Sequence, residues 1–173
     1  MGETPRVAVL MGSKSDLPAL EGAVETLTAF GVAFEVHVMS AHRTPRLVED
    51  YASAAQSRGL KVIIAAAGGA AHLAGVVAAY TTLPVIAVPM PTDCMGGIDS
   101  LLSMVQMPGG VPVACMGLGK SGAKNAAMMA VRILATGDEG LLHALGDYVA
   151  EMAEGVRAQD ESVQEWLEHR RRD

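Results

Sequence analysis

Ser40, His42 and Arg43 lie within four residues of one another, in the run V-M-S-A-H-R-T-P from Val38 to Pro45. The guanidinium of Arg43 is a fixed, bidentate partner for a phosphate or a carboxylate. His42 carries the side chain best suited to move protons near neutral pH. Apolar, β-branched Val36 and Val38 precede the trio, and Thr44-Pro45 follow as an N-cap and a first helical position. The trio is therefore predicted on a strand-to-helix corner, where backbone N–H groups lack partners and the helix dipole favours an anion. An anion clamp beside a proton carrier is the chemistry this spacing offers.

The elements that must position these residues follow from hydrophobic patterning. Continuous apolar runs at Val7–Met11, Val62–Ala67, Pro84–Val88 and Val111–Met116, and the alternating stretch Phe34–Met39, read as strands, most of them buried on both faces. Between and after them, Leu17–Phe30, Pro45–Arg58, Ala74–Thr81, Ile98–Met104 and Ala123–Ala135 read as helices, the first two closed by Gly31 and Gly59. Five strand–helix repeats at this spacing mark a parallel α/β sheet wound on both faces. A single domain is expected over residues 1–173, with 138–173 as a helical C-terminal extension containing amphipathic helices at Leu141–Met152 and Val163–Leu167. Those helices pack either on the same chain or on a neighbouring subunit.

In such a sheet every strand-to-helix corner lies on one edge, so the unusual polar residues of three corners converge. They are Ser13, Ser15 and Asp16 after the first strand, the Ser40 trio after the second, and Gly68–His72 after the third. Each has a plainer alternative. Ser13, Ser15 or Asp16 serve either as helix N-caps or as ligands, and a short acid there suits ribose hydroxyls better than an anion. Gly68-Gly69 form a tight turn or a close backbone approach to a ligand. His72 is either a core histidine or part of the site. His37, His143 and His169 have no such company.

At 173 residues the chain is long enough for one full core. Aromatics make up only 3% of a half-apolar sequence, so Ala, Val, Leu, Gly and Met must build that core. A net charge of −6 argues against nucleic-acid binding, and Arg170–Arg172 read as a solvated end. Cys94 and Cys115 lack metal-ligand spacing and read as reduced thiols; no His/Cys pattern suggests zinc. No apolar run is long enough to span a bilayer, and Met1–Arg6 is too polar to open a signal peptide, so a cytoplasmic protein is expected. Gly117–Gly122 lacks the glycine spacing of a phosphate loop. The tract Asp99–Pro108 has no mechanism that its spacing reveals.

Five stretches together resemble the class I N5-carboxyaminoimidazole ribonucleotide (N5-CAIR) mutases of purine biosynthesis, the PurE family. They are M-G-S-K-S-D (Met11–Asp16), S-A-H-R-T-P (Ser40–Pro45), A-G-G-A-A-H-L (Ala67–Leu73), D-S-L-L-S-M-V-Q-M-P-G-G-V-P-V (Asp99–Val113) and G-A-K-N-A (Gly122–Ala126). The sequence departs from the family pattern at Ala74, where the third loop usually has proline, and in the Cys115–Gly119 corner.

The resemblance implies a flavodoxin-like, three-layer α/β/α fold with a five-stranded parallel sheet and extra C-terminal helices. It also implies a shift of a carboxylate from the exocyclic nitrogen to C4 of an aminoimidazole ribonucleotide, with no metal or other cofactor. His42 would be the general acid/base, and Ser13, Asp16 and Arg43 would bind substrate. Ser15 and Ser40 would help hold the phosphate or the migrating carboxylate, and His72 would line the pocket. Backbone N–H groups of Gly69, Ala70 and Ala71 would hold the carbon dioxide and the new carboxylate. A homo-octamer working after an ATP-dependent N5-CAIR synthetase is implied as well. Two rivals remain: a direct aminoimidazole ribonucleotide carboxylase taking carbon dioxide, and a non-catalytic flavin-binding module. The family's animal-type branch reads A-H-K where this chain has Ala41-His42-Arg43. Flavin sites need an aromatic or apolar stack, which the three corners lack.

Overall fold

The computed structural model describes residues 4–172. The chain divides into two compact units, one ending at Leu134 and the other starting at Ala135.

The first unit is built on a five-stranded sheet of β1 (Val7–Met11), β2 (Phe34–Val38), β3 (Val62–Ala67), β4 (Val85–Pro89) and β5 (Ala114–Cys115). All strands are parallel, in the order β2-β1-β3-β4-β5. In register, Val7 pairs with Phe34 on one side and Val62 on the other. Every residue of β1, β3 and β4 is buried, as their unbroken apolar sequences require, whereas the edge strand β2 is half open to solvent.

The intervening helices are α1 (Leu17–Ala29), α2 (Pro45–Ala54), α3 (Leu73–Tyr80) and α4 (Ile98–Val105), with α5 (Gly119–Ala135) after β5. Right-handed crossovers put α1 opposite α2 and α3, because the chain moves one way from β1 to β2 and the other way afterwards. Alternate strand residues Ala8, Leu10, Ile63, Ala65 and Ala87 accordingly share one core with Val48 and Ala52 of α2 and Leu73, Ala74 and Val77 of α3. Small alanines on the sheet let these helices sit close. On α5, Gly122 is obligatory, since a Cβ there would lie 1.6 Å from the Gly117 carbonyl oxygen.

Several element ends differ from the sequence expectation. β5 has only two residues instead of Val111–Met116. Pro112 has no N–H to give a ladder, and Val111 is drawn into a turn by donating its N–H to Pro108 O at 3.2 Å. The second helix stops at Ala54 rather than Arg58, where the Ser57 hydroxyl donates to the Ala54 carbonyl oxygen at 2.9 Å. The fifth helix begins at Gly119, four residues before the expected Ala123.

The second unit is described by itself. It contains α6 (Glu139–Arg172), one continuous 34-residue helix in place of the two separate helices expected. The connecting stretch has no proline and is rich in helix formers. It is braced by Arg157–Glu154 at 3.0 Å and Gln164–Asp160 at 3.4 Å. Near its end the Arg170 guanidinium stacks 4.7 Å from the Trp166 ring centre. The expectation for Met1–Arg6 lies partly outside the described residues. Among the described residues, no helix is long and apolar enough to cross a membrane.

Candidate active site

In a sheet of order 2-1-3-4-5 the winding direction reverses between β1 and β3, and the crevice opens there at the strands' carboxyl ends. The corners after β1, β2 and β3 meet at this point and line a cleft of about 430 Å³, a size suited to a small ligand.

The first corner folds on its own side chains. Ser13 N–H donates to Asp16 Oδ2 at 3.2 Å while Ser13 Oγ accepts the Ser15 N–H at 3.3 Å and the Ser15 hydroxyl at 2.8 Å, capping the 3-10 turn Lys14–Asp16. The capping reading of these residues is thus realised, and all of them also face the cleft. Burial pushes the Asp16 carboxyl above its ordinary value of 3.8, with the Ser13 and Ser15 hydrogen bonds pulling the other way.

The second corner is tied by Thr44, the N-cap residue expected, with Pro45 at the first helical position. The Thr44 side chain makes no capping bond; Oγ1 instead accepts the Ser40 N–H at 2.9 Å and donates to Ser40 O at 3.1 Å. Ser40 Oγ accepts the Arg43 N–H at 3.2 Å. Arg43 Nη2 donates to Gly12 O at 2.9 Å, which locks the second corner onto the first. One such bond leaves most of the guanidinium's five donors for an anion.

The third corner brings the main surprise. His72 is no core residue but lines the cleft, and its Nδ1 lies 2.8 Å from His42 Nε2, with the rings edge to face, 4.9 Å apart and 77° inclined. At this distance one nitrogen carries the proton and the other accepts it. One ring can be cationic and keep the bond; both cannot. A proton gained by either ring therefore has a neighbour to share it. Both histidines are exposed to the cleft.

Ser13, Ser15, Asp16, Ser40, His42, Arg43, Ala70 and His72 all line the cleft. Gly69 and Ala71 do not. Ala71 is fully buried, its N–H donating to Gly69 O at 2.8 Å, while the Gly69 N–H donates to Ser100 Oγ at 2.9 Å. The row of N–H donors expected here is thereby reduced to that of Ala70, because the other two are consumed in holding the turn. Gly12, Ala41, Ala67, Gly68 and Leu73 also line the cleft and carried no side-chain signal in the sequence. No lining residue is aromatic apart from the histidines. Among the described residues, no group of three or more His, Cys, Asp or Glu is arranged to hold a metal ion.

The fold and this cleft define a flavodoxin-like α/β enzyme with two touching histidines and an arginine at the switch point. The family model described as AIR carboxylase matches residues 6–155. The N5-carboxyaminoimidazole ribonucleotide mutase of Vibrio vulnificus is 50% identical over 153 residues, covering 88% of this chain and 95% of its own. The mutase of Mycobacterium tuberculosis is 51% identical over 163 residues, covering 94% and 92%. The crystal structure of Treponema denticola PurE superposes with a TM-score of 0.82 at 29% identity, over 91% of this chain and 98% of that one. The chain belongs to the AIR carboxylase (PurE) family.

Proposed function

We propose that this enzyme is an N5-carboxyaminoimidazole ribonucleotide mutase, an isomerase of purine biosynthesis that converts N5-CAIR into 4-carboxy-5-aminoimidazole ribonucleotide. The observation that carries its mechanism is the 2.8 Å contact between His42 and His72 beside the Arg43 clamp.

Arg43 and the hydroxyls of Ser13, Ser15 and Ser40 hold the phosphate or the migrating carboxylate, and Asp16 suits the ribose hydroxyls. A carbamate loses carbon dioxide readily once its nitrogen is protonated. His42, as the imidazolium, gives that proton and becomes neutral. C4 of the amino nucleotide then attacks the retained carbon dioxide, and the hydrogen on C4 leaves as a proton to the neutral imidazole. The ring returns to its starting state, so the reaction is balanced without an outside acid or base. His72 fixes the orientation of the His42 ring and shares its charge. Two chemical steps in one cleft require that the carbon dioxide not escape between them, a task for the Ala70 N–H and the Gly68 backbone at the cleft wall.

Residues 1–173 act as one catalytic domain, with 138–173 as its helical extension; a sheet complete before Leu134 supports this division. A cytoplasmic homo-octamer, supplied by an ATP-dependent N5-CAIR synthetase, is the setting that the family membership supports.

The test is a product assay on the purified enzyme given N5-CAIR labelled in its carboxylate, without ATP and in unlabelled bicarbonate. Product formed faster than spontaneous decay and retaining the label is expected. Product whose label has exchanged with bicarbonate would instead identify a direct carboxylase.

A further inference from the structure

The tract Asp99–Pro108, mute in sequence, forms α4 and reaches the site from behind. Ser100 is fully buried and touches no part of the cleft. Its hydroxyl accepts the Gly69 N–H at 2.9 Å and donates its only proton to Met90 O at 2.8 Å, bridging the corners that follow β3 and β4. One turn further, the Ser103 hydroxyl proton lies between Asp99 O at 2.8 Å and Gly69 O at 3.3 Å. The residue held this way, Gly69, has φ +67°, a conformation that L residues avoid. From Gly69 the backbone closes on itself: Gly69 O takes the Ala71 N–H at 2.8 Å and Ala70 O takes the His72 N–H at 2.9 Å. A rotation of the Gly69 peptide therefore carries through to the His72 ring.

We propose that Ser100 is a positioning residue for the acid–base pair, holding the third corner so that His72 meets His42; its catalytic consequence rests on the mutase reading above. The Ser100 hydroxyl bonds to Gly69 and Met90 and to neither the first nor the second corner, so the effect should fall on turnover and not on nucleotide affinity.

The experiment compares wild type, Ser100→Ala and Ser103→Ala in mutase kinetics and in imidazole 15N chemical shifts of the ligand-free enzyme. Ser100→Ala is expected to lower kcat on the order of tenfold, the worth of one hydrogen bond, while KM changes by less than about twofold. The His72 ring signals should move and those of His37, remote from the cleft, should not. Wild-type kcat with an unmoved His72 ring would overturn the proposal even if the melting temperature fell. Should Ser100→Ala fail to fold, Ser103→Ala decides. A shifted His72 ring with a smaller fall in kcat supports positioning, and wild-type behaviour in both refutes it. If the wild type does not turn over N5-CAIR the mutase reading fails, and the ring shifts still judge the positioning role.

Discussion

The second and third corners leave the same edge of the sheet and touch through their histidines, yet they are held by opposite means. Around Ser40 itself the ties are local. Thr44 folds back on Ser40 and Ser40 on Arg43, all within four residues, and the side chains that reach elsewhere are Arg43, to Gly12, and His42, to His72. Around Gly69 the anchor comes from Ser100, 31 residues away, on a helix that belongs to the next crossover. A locally tied corner keeps its shape as long as its own sequence is kept. A remotely anchored one also depends on how α4 packs, so it ties the His42–His72 contact to the helix between β4 and β5.

Substitutions can break this contrast from either end. The largest effect is expected from Arg43→Ala, which removes the proposed anion clamp and the link between the first and second corners. Loss of a charge-assisted hydrogen bond is worth about 1.5–3 kcal/mol, so KM for the nucleotide should rise on the order of tenfold to a hundredfold in steady-state assays. Gly69→Ala comes next. No atom lies within 4 Å of the added Cβ, so the penalty is purely conformational. Left-handed backbone costs an L residue about 1–2 kcal/mol, a loss readable in denaturant unfolding. Thr44→Val removes two exposed hydrogen bonds in the locally tied corner and should cost less, about 0.5–1 kcal/mol by the same method. Equal losses for Gly69→Ala and Thr44→Val would erase the contrast.

The smallest effect concerns Asp16. Burial raises its carboxyl above 3.8, so the folded enzyme keeps that proton at pH values where the unfolded chain has lost it. Its contribution to stability is therefore complete below the ordinary carboxylate value and is lost as pH rises through the folded one. Asp16→Asn retains an oxygen acceptor for the Ser13 N–H and should flatten that decline in urea unfolding measured just above pH 4. An unchanged pH slope would show that the carboxyl is not held up.

The same contrast explains how much could be read from the sequence. The five parallel strands and the convergence of three corners followed from apolar patterning and from the common edge of a parallel sheet. Ser40, His42 and Arg43 announced themselves because their partners are neighbours in sequence. The His42–His72 contact spans 30 residues, and nothing in either local stretch encodes a ring-to-ring distance. Ser100 was missed for a related reason: a serine inside an amphipathic helix carries no sign that its hydroxyl is buried against another loop. The donors of Gly69 and Ala71 looked free for a ligand because a glycine pair does not reveal what its N–H groups already hold. In α6, the lapse of apolar spacing between Met152 and Val163 read as a break, whereas helix propensity and side-chain pairs carry the backbone through it.

The central claim is that the imidazole of residue 42 carries the proton both to the carbamate nitrogen and away from C4. His42→Asn, with nucleotide binding measured by calorimetry and turnover by product formation, tests it most directly. Nucleotide affinity within a few-fold of wild type with turnover reduced to the spontaneous rate is the predicted result, since Arg43 and the serines proposed to grip the substrate are untouched. Turnover at the wild-type rate with Asn at this position would contradict the claim.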